Sequence, residues 1–333
     1  MTASGAGLLL VCLAGILQGS FLVPAKGIRK WSWENYWLIF SVTAYLICPW
    51  ILAFATIPRL LEIYRGASPA ALLSVAVFGV GWGVGAVTFG LGVDAIGLAL
   101  GFATILGIAA TAGTLIPLMI APPAGFSFQQ GCIVGIALLL MLAGVAVCSL
   151  AGKWKETSSA DRRYRQGIII CIVSGLLSSC GNLGFAFGAD ITHRAEALGV
   201  AAAIAPNALW TLLTLPLFLC NAGFALLRLR SKGTLAAFRH GPVARNFWFS
   251  VSMGVMWMGG IALYGNGARR LGDLGSSLGW GILMSSMVLM ANALGLLTHE
   301  WRGAPPAATR QLIGGVFLLV IAIAGLAYAN RLH

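Results

Sequence analysis

Residues 69–90 read PAALLSVAVFGVGWGVGAVTFG, with no charged side chain anywhere in the stretch. An α-helix rises about 1.5 Å per residue, so roughly 20 apolar residues cross a hydrocarbon core ~30 Å thick. Nine further stretches share this character. The ten segments are 7–26, 34–56, 69–90, 95–118, 130–150, 167–187, 199–227, 245–266, 276–298 and 309–330. The connectors between them are short, and none is large enough to form a domain of its own. The reading is an all-α membrane protein: one polytopic domain over residues 1–333 with ten transmembrane helices.

Composition agrees. Charged residues make up 9 % of the chain, against ~25 % in soluble domains. The net charge of +12 would suggest nucleic acid on a soluble protein, but here the basic residues flank apolar spans, so the implied partner is the lipid bilayer and not nucleic acid. The connectors after segments 1, 5, 7 and 9 hold 15 of the 21 Lys and Arg. That side reads as cytoplasmic, which places both termini on the outer, periplasmic side. The densest run, Arg162-Arg163-Tyr164-Arg165 with Lys153 and Lys155 upstream, marks residues 153–165 as a cytoplasmic linker. Seven cysteines all lie within the apolar segments, without metal-ligand spacing, and read as small buried fillers. The first segment has no basic leader and is too long for a signal-peptide core, so it is expected to stay as the first helix.

The segment that opens this section has an echo. Gly81-Trp82-Gly83-Val84-Gly85 parallels Met256-Trp257-Met258-Gly259-Gly260 at an offset of 175, which also sets Phe89 on Tyr264, Gly90 on Gly265 and Gly97 on Gly272. At an offset of 160, Gly7 and Gly15 meet Gly167 and Gly175. Repeat 1 is thus 1–152 and repeat 2 is 166–333. Each holds five helices, an odd number, so the second sits inverted in the membrane. Inverted repeats are the architecture of secondary transporters, with the binding site near the midplane. The 44 glycines gather in segments 3, 4, 8 and 9 at small-xxx-small spacings that let helices approach closely in lipid.

No Asp, Glu, Lys or Arg lies near the centre of a segment, so a fully charged substrate has no buried counter-ion and a neutral polar solute fits better. Amides and aromatics do lie at depth: Gln18, Asn182, Asn207, Trp82, Trp210, Trp257, Tyr264 and Trp280. Trp31, Trp33, Trp37, Trp154 and Trp301 suit the interface, whereas Trp82 and Trp257 are central and related by the repeat. An indole face stacks on a sugar ring while amides bond its hydroxyls. Pro206 is expected to free a backbone carbonyl within segment 7. The chain carries no Gly-x-Ser-x-Gly elbow, no His-Glu-x-x-His and no phosphate-binding Gly-Lys-Ser loop, and His193 beside Asp190 and Glu196 falls in a short outer loop. An enzyme, a cofactor and a metal site are not expected.

The run from Phe21 to Glu34, FLVPAKGIRKWSWE, closely resembles a signature of the L-rhamnose–proton symporter family, part of the drug/metabolite transporter superfamily. The likeness extends through Phe78-Gly79, Trp82-Gly83, Gly90, Gly97 and Gly101 to Met256-Trp257, Tyr264 and Trp280, nearly end to end. It implies ten helices in two inverted five-helix repeats in a bacterial inner membrane, importing a deoxyhexose such as L-rhamnose with a proton as the coupling ion. The alternative is a carrier of the same superfamily for another sugar or metabolite, as a facilitator or exporter. The chain departs from the enteric pattern where an Asn of segment 3 gives way to the Gly85–Ala86 neighbourhood and a Gln of segment 8 to Gly260. Substrate contacts fall to Trp82, Trp257, Trp280, Gln18, Asn182, Asn207, Trp210 and Tyr264. Asp94 and Asp273, following segments 3 and 8, are the candidates for proton coupling. Lys26 and Glu34 are expected at the cytoplasmic mouth. Monomer and homodimer both fit.

Overall fold

A computed structural model describes residues 2–96, 98–153, 163–298, 301 and 304–332, except for the side chains of residues 94, 98–100, 152–153 and 163–164. Gly97, Trp154 and most of the 153–165 linker lie outside the described residues, as does the side chain of Asp94. Ten helices are long and apolar enough to cross a membrane, and no strand occurs among the described residues. They are α1 (Ala3–Ser20), α2 (Trp33–Thr56), α3 (Pro69–Ile96), α4 (Leu98–Ile120), α5 (Phe128–Lys153), α6 (Arg163–Phe187), α7 (Pro206–Lys232), α8 (Val243–Arg270), α9 (Gly275–Leu297) and α10 (Pro306–Arg331). Large apolar side chains such as Ile51, Phe54, Leu73, Leu139 and Phe317 point outward, an arrangement that lipid tolerates and water does not.

The bundle is knit by a regular set of helix pairings. α3 lies on α6 and α8 on α1; α4 lies on α6 and α9 on α1; α3 meets α7 and α8 meets α2. Three further pairs, α2 with α7, α4 with α9 and α5 with α10, join corresponding helices of the two halves. Exchanging each helix with the one five places along turns this set into itself. The correspondence reaches single residues. A Cβ on Gly7 would come within 3.0 Å of Arg270 Cβ, and one on its counterpart Gly167 within 2.8 Å of Ala95 Cβ, where residues 95 and 270 are themselves separated by 175. Gly15 rests on the Leu283 carbonyl and Ser286, and Gly175 on the Ile105 carbonyl and Ile108. Glycine at these crossings lets backbones approach where no hydrophobic force between helices operates.

Both chain ends lie at one face of the bundle, called here the terminal face. Gly7 sits against Leu271 N, and Asn330 Nδ2 donates to Leu271 O at 3.2 Å. The opposite side, with the 21–32 and 233–242 connectors, is the linker face.

Three elements differ from the sequence reading, the first being the 189–197 connector, read as a short outer loop, which forms a helix, Ala189–Ala197. Residues 199–205 are apolar but form turns, and α7 starts at Pro206. Proline at the first helical position removes an N–H that has no intrahelical partner anyway, so Pro206 frees no carbonyl within a helix. The interior prolines are Pro49 in α2, Pro117 in α4 and Pro216 in α7. The third difference is in α2, where a π-helical turn, Val42–Ile47, joins Trp33–Ser41 to Cys48–Thr56.

Candidate functional site

Trp82 is the midpoint of α3 and Trp257 the midpoint of α8, and their rings meet 5.5 Å apart at 37°. Repeat-related positions thus touch at the centre of the bundle. Gln18 lies in the last turn of α1, nearer that helix's end than the sequence suggests, because the α-helix stops at Ser20 and continues as a 3₁₀ turn, Val23–Gly27. Its Nε2 donates to the Trp257 backbone carbonyl at 2.8 Å, which fixes the amide and leaves Oε1 as an acceptor. Tyr45, from the π turn of α2, stands edge-on to Trp257 at 4.7 Å and 83°, with Phe40 behind it at 5.3 Å. All four residues are buried. Among the described residues, the N–H groups of Trp82 and Trp257 and the hydroxyl of Tyr45 carry no hydrogen bond, yet none of these atoms is sealed from accessible space. Three open donors and one acceptor therefore lie on residues joined through Trp257, its ring and its backbone carbonyl.

A second cluster lies two turns further along α8, about 10 Å towards the terminal face. Here Tyr264 Oη is 2.5 Å from Asn182 Oδ1 and 2.9 Å from Ser276 O. Asn182 Nδ2 donates to Gly113 O at 2.8 Å and Ser276 O at 2.9 Å, tying α6 to α4 and α9. Trp280 Nε1 donates to Ala109 O at 3.0 Å, and its ring meets Tyr264 at 5.7 Å. Trp210 stacks on Phe185 at 4.9 Å and 8°, its N–H sealed in without a partner among the described residues. Apart from that N–H, the polar atoms of this cluster are engaged within the protein. The structure thus divides the sequence candidates: Trp82, Trp257 and Gln18 belong to the first cluster, and Trp280, Tyr264, Asn182 and Trp210 to the second. Asn207 joins neither. Its Nδ2 donates to Thr56 Oγ1 at 3.0 Å, where α7 begins against the end of α2.

At the linker face, FLVPAKGIRKWSWE folds as the 3₁₀ turn, a loop, and the first turn of α2, capped reciprocally by Ser32 and Asn35. Asn246 on α8 grips the loop, accepting from Arg29 N at 3.2 Å and donating to Arg29 O at 2.8 Å. Lys26 and Glu34 hold different partners: Lys26 Nζ lies 3.5 Å from Thr298 Oγ1, while Glu34, wholly buried, accepts from Thr234 Oγ1 at 2.9 Å and faces Lys232 Nζ at 3.5 Å. Trp37, expected at the interface, instead donates to Asn221 Oδ1 on α7 at 3.3 Å.

Asp273 is exposed in the turn between α8 and α9. On the terminal face, Glu196 pairs with Arg269, and Asp190 accepts from Ser68 N at 2.9 Å. Among the described residues no three His, Cys, Asp or Glu side chains gather to hold a metal. Tyr45 is the residue of this cluster that the sequence reading did not single out. Its one sequence signal is Pro49, four residues on.

Comparison with known proteins places this geometry in context. The family model described as L-rhamnose-proton symport protein (RhaT) matches residues 3–330. An L-rhamnose-proton symporter of Cronobacter sakazakii is 27 % identical over 345 residues, covering 98 % of each chain. Its namesake from Mannheimia succiniciproducens is 27 % identical over 323 residues, covering 93 % of this chain and 94 % of its own. A solved structure described as "Crystal structure of protein" aligns with a TM-score of 0.57 over 98 % of this chain and 97 % of its own, at 14 % identity, a likeness of fold alone.

Proposed function

Because the chain belongs to the L-rhamnose-proton symport protein family, we propose that it is a secondary carrier importing L-rhamnose, or a closely related neutral deoxyhexose, together with a proton. The central cluster carries this reading: two indoles, a phenol and an oriented amide offer hydrogen bonds between apolar faces, and no charged group stands among them. A sugar has hydroxyls for the polar atoms and C–H faces for the rings. In this reading the two halves are inverted repeats of the drug/metabolite type, the membrane is a bacterial inner membrane, and the terminal face is periplasmic. The helix pairings that interchange under a five-helix shift and the surplus of Lys and Arg on the linker side support it. Transport is by alternating access, with the Tyr264–Asn182–Trp280 cluster closing the periplasmic end of the cleft.

Proton coupling is assigned to Asp94 and Asp273, near the ends of α3 and α8. A carboxylate that is wet in one conformation and partly buried in the other changes its proton affinity with the cycle. The absence of a carboxylate from the central cluster favours a second reading, an uncoupled facilitator. Adding L-rhamnose to lightly buffered cells decides between them. Symport raises the external pH as sugar enters, and an uncoupler stops accumulation. Uptake without a pH change, insensitive to uncoupler, establishes the facilitator. Alkalinisation that survives in both Asp94→Asn and Asp273→Asn removes these two residues from the coupling role.

A further inference from the structure

The π-helical turn Val42–Ile47 interrupts α2 in mid-span, and Cys48 N–H bonds back to Thr43 O, five residues away. Pro49 accounts for its place. In a regular α-helix the proline ring would press on the carbonyl four residues back, that of Tyr45, and it has no N–H to return the bond. A π turn widens the backbone there and adds a residue to the turn, and such turns concentrate at functional sites. One added residue rotates the following face of α2 by about 100°.

Tyr45, inside that turn, is 3 % exposed and packs against the Trp257 ring. Its hydroxyl nevertheless lacks a partner among the described residues and reaches accessible space. Tyr64 and Tyr264 show how the fold treats its other inward-facing phenols: Tyr64 Oη donates to Ala208 O at 2.7 Å, and Tyr264 Oη is 2.9 Å from Ser276 O. A phenol held this deep with no bond costs free energy unless something arriving later supplies one. Joined to it through Trp257 are the unengaged N–H groups of Trp82 and Trp257 and the amide of Gln18, whose Nε2 is fixed by its bond to Trp257 O.

We propose that Tyr45 is a specificity-determining residue: its hydroxyl bonds one hydroxyl of a sugar held against Trp82 and Trp257. The assignment rests on the reading of that cleft as the sugar site. It makes the cleft a reader of hydroxyl position, because a site built to bond a given OH rejects the analogue lacking it when its own polar group is left unpaired.

The test is a binding series on the purified full chain, by titration calorimetry, with L-rhamnose and its monodeoxy analogues. Wild type, Tyr45→Phe and Tyr64→Phe are compared. The wild type binds L-rhamnose and binds one analogue about tenfold more weakly. Tyr45→Phe binds L-rhamnose about tenfold more weakly than wild type does and no longer distinguishes that analogue from L-rhamnose, while the other analogues keep their ranking. Its melting temperature without sugar stays at or above that of wild type, since only an unpartnered hydroxyl has gone. Tyr64→Phe keeps the wild-type selectivity. An unchanged analogue series in Tyr45→Phe, or a uniform loss across all sugars with a lowered melting temperature, overturns the proposal while leaving the sugar site standing. A wild type that binds no L-rhamnose sinks the reading of the cleft, and this assignment with it.

Discussion

Two aromatic clusters share one face of α8, two turns apart, and they differ in what their polar atoms do. Around Tyr264 the amide of Asn182, the N–H of Trp280 and the phenol itself all bond within the protein. Around Trp257 the donors are left open. A satisfied buried network rigidifies a fold, whereas convergent unsatisfied groups between apolar walls describe a binding site. The sequence offset of 175 sharpens the contrast. Trp82 and Trp257 are counterparts and meet each other, but Tyr264 corresponds to Phe89, which has no hydroxyl and rests edge-on against Phe102 at 4.9 Å. A Cβ at Gly265 would come within 2.8 Å of Trp210 Nε1, while one at Gly90, its counterpart, would meet nothing within 4 Å. The terminal-face side of the Trp82–Trp257 contact is tightly tied and the linker-face side is loose, although both are built on helices aligned by the offset of 175.

The comparison breaks most readily at Trp257. Trp257→Ala removes a stacking face and a donor, worth together about 3 kcal/mol or ~100-fold in uptake per folded molecule. The protein still inserts, as membrane abundance checks. Normal rate and affinity in this variant would take Trp257 out of the site and collapse the distinction between the clusters.

Asn182→Leu tests the other side. It leaves the carbonyls of Gly113 and Ser276 and the Tyr264 hydroxyl each one bond short, and is expected to lower stability by about 2–4 kcal/mol. A clear drop in melting temperature follows, with sugar affinity of the surviving folded protein within a few-fold of wild type. Lost affinity at an unchanged melting temperature would move Asn182 into the binding site.

These outcomes also explain how far the sequence could be read. The spans were legible because length and apolarity suffice, and the offset of 160 was legible because the glycines it aligns, Gly7 with Gly167 and Gly15 with Gly175, sit at comparable helix crossings. The start of α7 was not, since the apolar run 199–205 looks like helix to any hydropathy argument and only Pro206 marks the boundary. Asn182 and Trp280 read as ligand contacts from sequence, and the structure engages both side chains with backbone carbonyls. A polar group at depth sends the same signal whether its partner is a substrate or a backbone carbonyl on another helix. Tyr45 escaped notice because its importance depends on a π turn and on a ring more than 200 positions away.

A smaller effect separates two glycines. On Gly113 a Cβ would lie 2.4 Å from Trp280 Nε1, so Gly113→Ala must displace the indole and break its bond to Ala109 O, at a cost of about 2 kcal/mol. Gly90→Ala meets open space, and its better helix propensity leaves stability unchanged or higher by up to ~1 kcal/mol. Thermal unfolding of both variants checks the pair. Equal destabilisation would mean the two sides of the Trp82–Trp257 contact are packed alike.

The least effect is expected for the ion pair at the linker face, where Glu34 faces Lys232. The Lys232 side chain is 44 % exposed and its Nζ sits 3.5 Å from the carboxylate. Water screens such a pair, and exposed ion pairs contribute about 0–1 kcal/mol. Glu34 does not depend on it, because Thr234 Oγ1 donates to the carboxylate at 2.9 Å and the first turn of α2 favours a negative charge. Thr234→Val should therefore destabilise more than Lys232→Ala, since it strips a hydrogen bond from a buried carboxylate, worth about 1.5–3 kcal/mol when charged. A double-mutant cycle of Lys232→Ala with Glu34→Gln isolates the pair. A coupling energy of at most ~1 kcal/mol, shrinking with added salt, matches a solvated contact that steadies the linker face. A salt-independent coupling well above that would show the pair shielded from water and make the linker face, like the Tyr264 cluster, tightly tied.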